Sequence, residues 1–354
     1  MKIKRIQIKN FKSIKEVDLE LKELNILIGA NGSGKSNFIS FFTFLNHLLE
    51  HDLKHYVLQQ GGYDTFLFFG RKYSSEIFFR IDFDDRQYYT CKLLPTAGEF
   101  LLPQDITLSG YMDKIDNSAG AGMEIQDKMG DKYVSEYMKK AFAASKIYHF
   151  HDTGPSAKLM QMCDIHDNRY LNPDGSNLAA FLYYLQKKHE KHFTQIQDTI
   201  RLIAPFFSKF EIAPFKLNEE KILLQWKHID YDDVYFKPYH LSDGTLRMMC
   251  LITLLLQPEL PDIILIDEPE IGLHPSAITI LSSLLQSAAT EAQIIVSTQS
   301  VTLIDHFEAE DIVVVDRKSN QSIFRRLNEK DISIWLEEYS LGEIWEKNII
   351  GGRP

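Results

Sequence analysis

One stretch, Gly29-Ala30-Asn31-Gly32-Ser33-Gly34-Lys35-Ser36, matches the phosphate-binding pattern G-x-x-x-x-G-K-[ST] without a gap. This pattern is specific only where a strand precedes it and a helix follows. Residues 24–28 form a short, mainly apolar run, which is typical of a buried strand. Residues 37–45 continue without glycine or proline and carry apolar side chains all round, as a buried helix does. The sequence therefore predicts a strand, a phosphate-binding loop and a helix, rather than a glycine-rich turn that happens to contain a lysine.

The residue types in this loop suit the chemistry of a bound nucleotide. Its glycines allow the backbone to curl so that successive N–H groups converge on phosphate oxygens, and the following helix adds the positive end of its dipole. We expect Lys35 to place its charge on the β- and γ-phosphates of ATP and the Ser36 hydroxyl to bind Mg²⁺. The candidate nucleotide-binding residues in this region are Gly29, Ala30, Asn31, Gly32, Ser33, Gly34, Lys35, Ser36 and Asn37.

The composition is that of an ordinary globular protein with one large domain or two smaller ones. The chain has 354 residues, of which 44% are hydrophobic and 25% are charged. Its longest apolar run is too short to span a bilayer, and its three scattered cysteines suit a reducing compartment. We therefore expect a cytoplasmic protein with no membrane partner. The net charge of −10 argues against a broad surface for nucleic acid, although a local basic patch can still bind it.

The N-terminal part of the chain predicts strands on either side of the phosphate loop. Apolar residues alternate with polar ones over residues 6–21, and a similar alternation over 66–94 predicts further antiparallel strands. Residues 95–146 are weakly patterned, and we interpret 113–133, which is rich in Gly, Asp and Lys, as an exposed insertion. Lys12, in the turn between the first two strands, is the basic residue that we place near the nucleotide.

The rest of the chain alternates helices and strands. In the middle we expect helices at 178–185 and 192–204 and strands at 210–213 and 222–226. The C-terminal third predicts a mostly parallel sheet, because its strands alternate with helices. Its elements are a helix from Leu241-Ser242-Asp243-Gly244-Thr245 to about residue 257, buried strands at 263–266, 293–300 and 312–315, and a helix from Pro275 to about Ala289.

An acidic pair, Asp267-Glu268, ends the apolar strand at 263–266. A carboxylate in this position can hold the Mg²⁺ shell, and the next one can orient or deprotonate the water that attacks the γ-phosphate. Gln60, which follows the phosphate-loop helix, could reach the same Mg²⁺ or water, although a lone Gln is more often a surface residue. The acidic pair and the phosphate loop together predict nucleotide hydrolysis.

Four motifs resemble, in the same order, those of the ABC ATPase family in its SMC/RecF-like branch. They are the phosphate loop at 29–36, a signature at 241–245, the acidic pair at 267–268 and Gly272-Leu273-His274-Pro275. Gln60-Gly61 is similar to the family's Q-loop. A narrower resemblance is to small bacterial ATPases that are often encoded beside a nuclease or toxin-like partner, including in phage-defence operons. This narrower resemblance rests on His149-Phe150-His151-Asp152-Thr153, residues 171–185 and the tail Gly351-Gly352-Arg353-Pro354.

The resemblance implies a head-to-tail dimer that encloses two ATP molecules. Ser242 and Gly244 of one chain, with Asp243 between them, would meet the γ-phosphate that Lys35 of the other chain holds. ATP binding would close the dimer and hydrolysis would open it. The implied catalytic residues are Glu268 as the base, Lys35 and Gln299, and the implied Mg²⁺ ligands are Ser36, Asp267 and Gln60.

Two positions of the chain depart from the family's usual pattern. Asp243 and Thr245 replace the commoner Gly and Gln of the signature, and we expect the Asp243 side chain to point away from the γ-phosphate, which would repel it. Gln299 stands where many members have a His. Because Gln donates a hydrogen bond but cannot carry a proton charge, we expect slow turnover, which suits a switch better than a motor.

These observations predict an α/β fold of the ABC ATPase type, with a mostly parallel sheet, flanking helices, an antiparallel β part and an inserted helical subdomain. The predicted domains are 1–94 with the phosphate loop, 95–234 as the largely helical insertion with connecting strands, and 235–354 with the signature, the acidic pair and the tail. We expect an ATPase that forms a homodimer or higher even oligomer. It would regulate or scaffold a separate effector, such as a nuclease or toxin, in anti-phage defence.

Two other functions stay open. A RecF-like DNA repair ATPase would bind nucleic acid, which the acidic net charge and the short middle region disfavour. A nuclease would need a metal in the cluster of His149, His151, Asp152, His166 and Asp167, but the spacing matches no common metal motif, and a hydrogen-bonded polar turn explains it as well. The tail at 351–354, which we do not expect to fold on itself, is a candidate contact for a partner.

Overall fold

A computed structural model describes residues 2–83, 87–109 and 145–353 of the chain. The insertion predicted at 113–133 lies outside these residues. The chain divides into two compact units, namely unit 1, with Met1–Ser145 and Ile295–Pro354, and unit 2, with Lys146–Ile294. The domain boundaries drawn from the sequence stay a prediction.

Strands and helices alternate along much of the chain, as the hydrophobic patterns indicate. The strands are β1 (Arg5–Phe11), β2 (Ile14–Glu20), β3 (Leu24–Ile28), β4 (Ile77–Asp82), β5 (Tyr88–Pro95), β6 (Leu101–Ser109), β7 (Ser145–Tyr148), β8 (Cys163–Asp164), β9 (Phe207–Phe210), β10 (Pro214–Phe215), β11 (Asn218–Ile222), β12 (Trp226–His228), β13 (Tyr231–Phe236), β14 (Ile263–Asp267), β15 (Gln293–Thr298), β16 (Ile312–Lys318) and β17 (Gln321–Arg326). The helices are α1 (Lys35–Leu49), α2 (Leu53–Gln59), α3 (Leu178–Lys188), α4 (Glu190–Ile203), α5 (Asp243–Leu255), α6 (Pro275–Ala289), α7 (Val301–Ile304), α8 (Glu329–Leu336) and α9 (Leu341–Glu346). Within the described residues, no helix has the length and apolar character needed to cross a membrane.

Unit 1 contains an antiparallel sheet with the strand order β2-β1-β4-β5-β6. Ile6 and Ile8 of β1 lie opposite Leu19 and Val17 of β2, and all four side chains are buried. The residues between them are more exposed. The alternation of apolar and polar residues in the sequence therefore gives the sheet one buried face and one more solvent-exposed face. The antiparallel strands predicted in the N-terminal region are therefore confirmed.

The strand before the phosphate loop lies in a second, mixed sheet region of unit 1. All five residues of β3 are buried. This strand pairs in parallel with β16, with Ile28 opposite Val314, and β16 pairs antiparallel with β17. On its other side β3 neighbours β15. An α/β fold with parallel pairing at the phosphate loop is confirmed, and β17 adds an antiparallel strand to it.

Helix α1 is held on the antiparallel sheet by a cluster of aromatic rings. The ring centroid of Phe41 lies 5.4 Å from that of Phe11 and 5.2 Å from that of Phe79 in β4, both with edge-to-face geometry. Phe44 lies 5.3 Å from Phe11 on the same side. Such pairs stabilise by burial and by the electrostatics of ring edges against ring faces. Because α1 begins at the phosphate loop, this cluster also fixes the position of the loop within unit 1.

Gly352 of the tail packs on unit 1, whereas the sequence predicted only that residues 351–354 do not fold on themselves, and their contact with a partner stays a prediction. Gly352 is buried, and its carbonyl oxygen accepts a hydrogen bond from Trp345 Nε1 at 2.7 Å. Arg325 of β17 donates to the Ile350 carbonyl oxygen at 2.8 Å. These contacts could not be predicted from the sequence, because their partners lie on elements that only the fold brings to the tail.

Unit 2 contains α3 and α4 and two small sheets, with the orders β10-β11-β8 and β13-β12-β9. Helix α4 confirms the helix predicted near 192–204, but the predicted strands at 210–213 and 222–226 are wrong in position. The strands β9 and β12 form instead where aromatic side chains are buried. The Phe207 and Phe210 rings of β9 lie 4.8 Å apart, and Phe207 lies 6.2 Å from Trp226 of β12. The packing of aromatic side chains, rather than the apolar runs in the sequence, therefore determines where these strands lie along the chain.

Replacing Phe41 with Ala should lower the free energy of unfolding by about 3–5 kcal/mol, because it leaves a cavity in the ring cluster that anchors α1. Urea unfolding followed by circular dichroism measures this loss. The control is Tyr73→Ala, which removes an aromatic ring that is 76% exposed and should change the same quantity by less than about 0.5 kcal/mol. Equal losses in the two variants would contradict an anchoring role for the cluster.

Candidate nucleotide site

The phosphate loop connects β3 to α1 and leaves the start of that helix open to an anion. Gly34, the N-cap residue, has φ +117°, a backbone conformation that side chains rarely permit. In the described structure no side chain caps this end, and the first turn holds no acidic residue. The first N–H groups of an α-helix have no partner within the helix, and together with the helix dipole they attract phosphate groups.

Two glycines of the loop are required by the close approach of the β16–β17 hairpin. A Cβ on Gly29 would lie well inside 3.0 Å of the Val315 carbonyl oxygen, and a Cβ on Gly34 would lie equally close to Ser322 Oγ. Gly32 has open space around it but a φ of +75°, so this position needs glycine for its backbone conformation alone. The hairpin therefore shapes the loop, and Gly29 and Gly34 occur where the hairpin leaves no room for a side chain.

Lys35 is only 4% exposed and lies inside the loop to which it belongs. Its Nζ donates to the carbonyl oxygens of Gly29 at 2.6 Å and Ala30 at 3.2 Å. Burying an ammonium group is costly unless oxygen atoms or an anion balance its charge. A phosphate oxygen at the start of α1 would be a stronger, charged acceptor for the same group. Ser36, the next residue, is exposed and leaves its hydroxyl accessible to a cation.

A relay of hydrogen bonds supports the loop, and the sequence did not indicate it. Asn37 Nδ2 donates to Ser13 Oγ at 2.7 Å, Ser13 Oγ lies 2.7 Å from Ser322 Oγ, and Ser322 Oγ donates to the Ser33 carbonyl oxygen at 2.5 Å. Asn37, which we predicted as a nucleotide-binding residue, thus bonds to the turn before β2. Ser13 and Ser322 are 309 positions apart, so no local pattern could have linked them.

The other candidates in unit 1 differ in how far the structure supports them. Lys12 Nζ donates to Ser40 Oγ at 2.9 Å, which places its ammonium group on α1 one turn after Ser36, and burial lowers its pKa. Gln60 is exposed directly after α2, and Gln299 is half-buried directly after β15. The roles of Gln60 and Gln299 at the nucleotide stay predictions.

In unit 2 the acidic pair marks the end of β14. Asp267 is the last residue of the strand, and Glu268 follows with a φ of +46°. Few residues other than glycine adopt such a conformation. It costs about 1–3 kcal/mol and is found most often at functional sites. Both residues are half-buried. Other non-glycine residues of the chain, such as Asn10 and Asn320, also have positive φ, so the catalytic role of Glu268 stays a prediction.

The signature forms the start of α5, with its polar residues on the surface. Ser242 is the N-cap residue, and its Oγ accepts a hydrogen bond from Thr245 N at 3.2 Å and lies 2.8 Å from Thr245 Oγ1. Ser242 and Asp243 are exposed, whereas Gly244 is buried. A Cβ on Gly244 would lie well inside 3.0 Å of the Gly272 carbonyl oxygen. Only glycine therefore allows α5 to pack against the segment that follows the acidic pair.

Arg247, one turn further along α5, connects the signature helix to two other parts of unit 2. Its Nη1 donates to the Ile271 carbonyl oxygen at 2.8 Å, and its Nη2 donates to the His151 carbonyl oxygen at 3.0 Å. His151 Nε2 lies 3.0 Å from the Asp267 carbonyl oxygen. Sequence reasoning missed Arg247, since a single arginine in a helix carries no pattern. The network couples the signature helix to the acidic pair through backbone atoms.

The predicted His/Asp cluster gives no support to a metal-dependent nuclease. Among residues 2–83, 87–109 and 145–353, no group of three His, Cys, Asp or Glu side chains could hold a metal ion. His151 bonds to the backbone of the acidic pair, as above. Asp167 accepts a hydrogen bond from Asn172 Nδ2 at 2.8 Å, and Asp164 accepts one from the His166 amide at 2.9 Å. These contacts are those of hydrogen-bonded turns.

Two family models match overlapping parts of the chain. One is described as "AAA ATPase domain" and matches residues 1–158, and the other is described as "AAA domain, putative AbiEii toxin, Type IV TA system" and matches residues 142–305. None of the curated proteins compared with the chain matches it. The family matches thus support an ATPase over most of the chain.

Solved structures of SMC head domains share the fold. An SMC head bound to the C-winged helix domain of ScpA matches with a TM-score of 0.65 and 15% identity, over 94% of this chain and 100% of that chain. An SMC head with an extended coiled coil, bound to the C-terminal domain of ScpA derived from Pyrococcus furiosus, gives a TM-score of 0.59 and 14% identity, over 95% and 98%. The chain therefore shares the fold of SMC heads, and the two family matches support an ATPase domain of the AAA type.

Proposed function

We propose that the chain binds ATP with Mg²⁺ and hydrolyses it slowly, and that ATP joins two copies head to tail in a switch that controls a separate effector protein. The observation that carries the proposal is the phosphate loop. Lys35 is buried within it, 2.6 Å from the Gly29 carbonyl oxygen, at the start of a helix whose first turn holds no acidic residue. A buried ammonium beside a helix N-terminus concentrates positive charge where a triphosphate would bind.

The residue types at both ends of the predicted site fit ATP and Mg²⁺. Lys35 and the N–H groups at the start of α1 would hold the β- and γ-phosphates. The Ser36 hydroxyl and the Asp267 carboxylate are oxygen ligands of the kind that Mg²⁺ prefers, and the bound ion would neutralise charge on the phosphates. Glu268 would orient or deprotonate the attacking water. Gln299 would donate a hydrogen bond without a proton charge, which favours slow turnover.

The exposure of the signature supports a dimer. Ser242 and Asp243 lie on the surface at the start of the 13-residue helix α5. In the family that the chain resembles, this element contacts the γ-phosphate held by a second chain. The bonds from Arg247 to the backbone of Ile271 and His151 would let that contact reach the acidic pair. A trans contact of this kind stabilises only the closed state, so ATP can shift the equilibrium toward it.

A separate protein partner is the source of the downstream activity in this proposal. Within the described part of the chain, no group of His, Cys, Asp or Glu side chains could hold the metal ion that a nuclease would use. One matching family model carries a toxin–antitoxin description, and the two similar SMC heads were each solved with a domain of ScpA bound. By analogy, the switch would act on an effector from another chain, such as a nuclease or toxin, and we place that effector in anti-phage defence.

A RecF-like DNA-binding ATPase is the second candidate, but the surface groove that best fits DNA binding supports it only weakly. A groove of unit 1 is lined by several cations, yet Arg5 pairs with Asp18, and Lys22 Nζ lies 3.0 Å from a Glu310 carboxylate oxygen. Cations that are already paired contribute less to phosphate binding. The basic residues that line this groove are Lys4, Arg5, Lys22, Arg80 and Arg326.

Replacing Ser322 with Ala should raise the dissociation constant for ATP roughly fivefold, because the Ser33 carbonyl in the loop loses a hydrogen bond worth about 1 kcal/mol. Titration with a fluorescent ATP analogue measures the change. Ser333→Ala, at an exposed serine of α8, is the matched control and should bind as the wild type does. Unchanged affinity in Ser322→Ala would mean that the relay does not shape the phosphate site.

The variant Glu268→Gln should bind ATP, hydrolyse it at least a hundredfold more slowly and accumulate as a dimer in ATP and Mg²⁺, because the closed state no longer decays. Light scattering coupled to size exclusion measures the mass, and phosphate release measures turnover. Glu291→Gln, at an exposed glutamate of unit 2, is the control. It should behave as the wild type in both measurements.

The trans contact makes this test specific. Adding Ser242→Arg to Glu268→Gln should preserve ATP binding but keep the protein monomeric, since the bulky side chain blocks the approach of the second phosphate loop. A double variant that still dimerises in ATP would show that the dimer does not use the signature. A Glu268→Gln protein that binds ATP and stays monomeric would contradict the switch itself.

Tagged Glu268→Gln protein, expressed together with the genes that flank its own, should retain a neighbouring protein in fixed ratio in ATP and Mg²⁺. Pull-down followed by mass spectrometry measures the ratio, and Lys35→Ala, which should not bind ATP, serves as the control for nucleotide dependence. Recovery of nuclease-sensitive DNA with no protein partner would contradict the effector proposal and favour the RecF-like function.

A further inference from the structure

Residues 350–353, which we call the strap, dock on unit 1 through backbone atoms. Trp345 of α9 is fully buried, and its Nε1 donates to the Gly352 carbonyl oxygen at 2.7 Å. Arg325 of β17 holds the other end of the strap, where its Nη2 donates to the Ile350 carbonyl oxygen at 2.8 Å. Ile350 is 3% exposed. The strap is thus fixed at two points rather than lying loosely on the surface.

At Gly352 the strap meets the first residue of the phosphate loop. Gly352 has a φ of +62°, and a Cβ built on it would lie 2.8 Å from Val314 Cγ1, 3.3 Å from the Val315 carbonyl oxygen and 3.5 Å from the Gly29 Cα. The Val315 carbonyl is the same group that excludes a Cβ from Gly29. Gly352, Val315 and Gly29 therefore meet backbone to backbone, and each limits the movement of the others.

We propose that the strap is a positioning element of the nucleotide site: by packing against β16 and Gly29, Gly352 holds the start of the phosphate loop in the conformation that binds the triphosphate. The inference rests on the ATP binding proposed above. No strap atom needs to touch the nucleotide, because the effect passes through Gly29 and the Val315 carbonyl. Binding linkage is reciprocal, so a nucleotide held by the loop also stabilises the docked strap.

The neighbouring glycine offers a matched comparison. Gly351 has a φ of +76°, so an alanine there carries a backbone cost similar to that of an alanine at Gly352. Its Cβ, however, would meet only Asp316 Oδ2 at 3.4 Å, an atom at the end of an exposed side chain that can move aside. A role limited to stability predicts similar behaviour of the two alanine variants, whereas a positioning role predicts that only Gly352→Ala changes nucleotide affinity.

The test compares wild type, Gly351→Ala and Gly352→Ala by titration with a fluorescent ATP analogue and by melting temperature without nucleotide. We expect the dissociation constant of Gly352→Ala to exceed that of Gly351→Ala at least fivefold, although both variants melt at lower temperature than the wild type. Equal dissociation constants in the two variants would overturn the proposal. A wild type that does not bind ATP would overturn both this inference and the proposed function, which separates the two failures.

A second variant covers the case in which Gly352→Ala does not fold. Trp345→Phe keeps a smaller aromatic ring at this buried position but removes the donor to the Gly352 carbonyl, and it should weaken nucleotide binding two- to fivefold. In the wild type, amide hydrogen exchange of the peptide that contains residues 345–353 measures the reciprocal effect, namely whether bound nucleotide stabilises the docked strap. ATP with Mg²⁺ should slow this exchange at least threefold, and Lys35→Ala should show no slowing. Exchange that is unchanged by ATP in a wild type that binds it would overturn the proposal.

Discussion

The approach of the Val315 carbonyl to Gly29 is the constraint on which the phosphate loop, and with it the candidate nucleotide site, depends. Parallel pairing sets Ile28 opposite Val314, so the next residue on each strand meets at the point where the phosphate loop begins. A Cβ on Gly29 has no room there, and the chain turns into the loop rather than continuing as a strand. The shape of a local motif is thus set by a strand that lies almost 300 residues away.

Neighbouring parts of unit 1 bear the conformational cost of the loop. Glycines at φ +75° and +117° lose more backbone entropy on folding than other residues would. Hydrogen bonds from Ser322 and packing of Phe41 under α1 offset part of this cost. A loop that is already ordered pays less entropy when it binds its ligand. Unit 2 shows a similar arrangement, in which a hydrogen bond lies beside a strained residue. Glu268 has the strained backbone, and the carbonyl oxygen of the preceding residue, Asp267, is hydrogen-bonded to His151.

The sequence was sufficient where the signal is local and insufficient where partners are remote. The phosphate loop, the buried helix α1 and the strand before Asp267 follow from short patterns of glycine, lysine and apolar residues. The loop's supports, Ser322 and Gly352, could not be predicted, because an isolated serine or a terminal glycine pair carries no periodicity. The strands near Phe207 and Trp226 were misplaced since their positions depend on ring packing across the sheet, which an apolar run does not record.

The signature shows how electrostatics would suit a switch. Asp243 is the first residue of α5, where a carboxylate stabilises its own helix by about 0.3–1 kcal/mol by opposing the positive end of the dipole. The same charge weakens the attraction of that helix end for the γ-phosphate of a second chain. A glycine there would bind the phosphate more strongly and favour a longer-lived closed dimer. With Asp243, the proposed closed state gains less from the trans contact, so a partner that binds either state can shift the equilibrium with a modest difference in affinity.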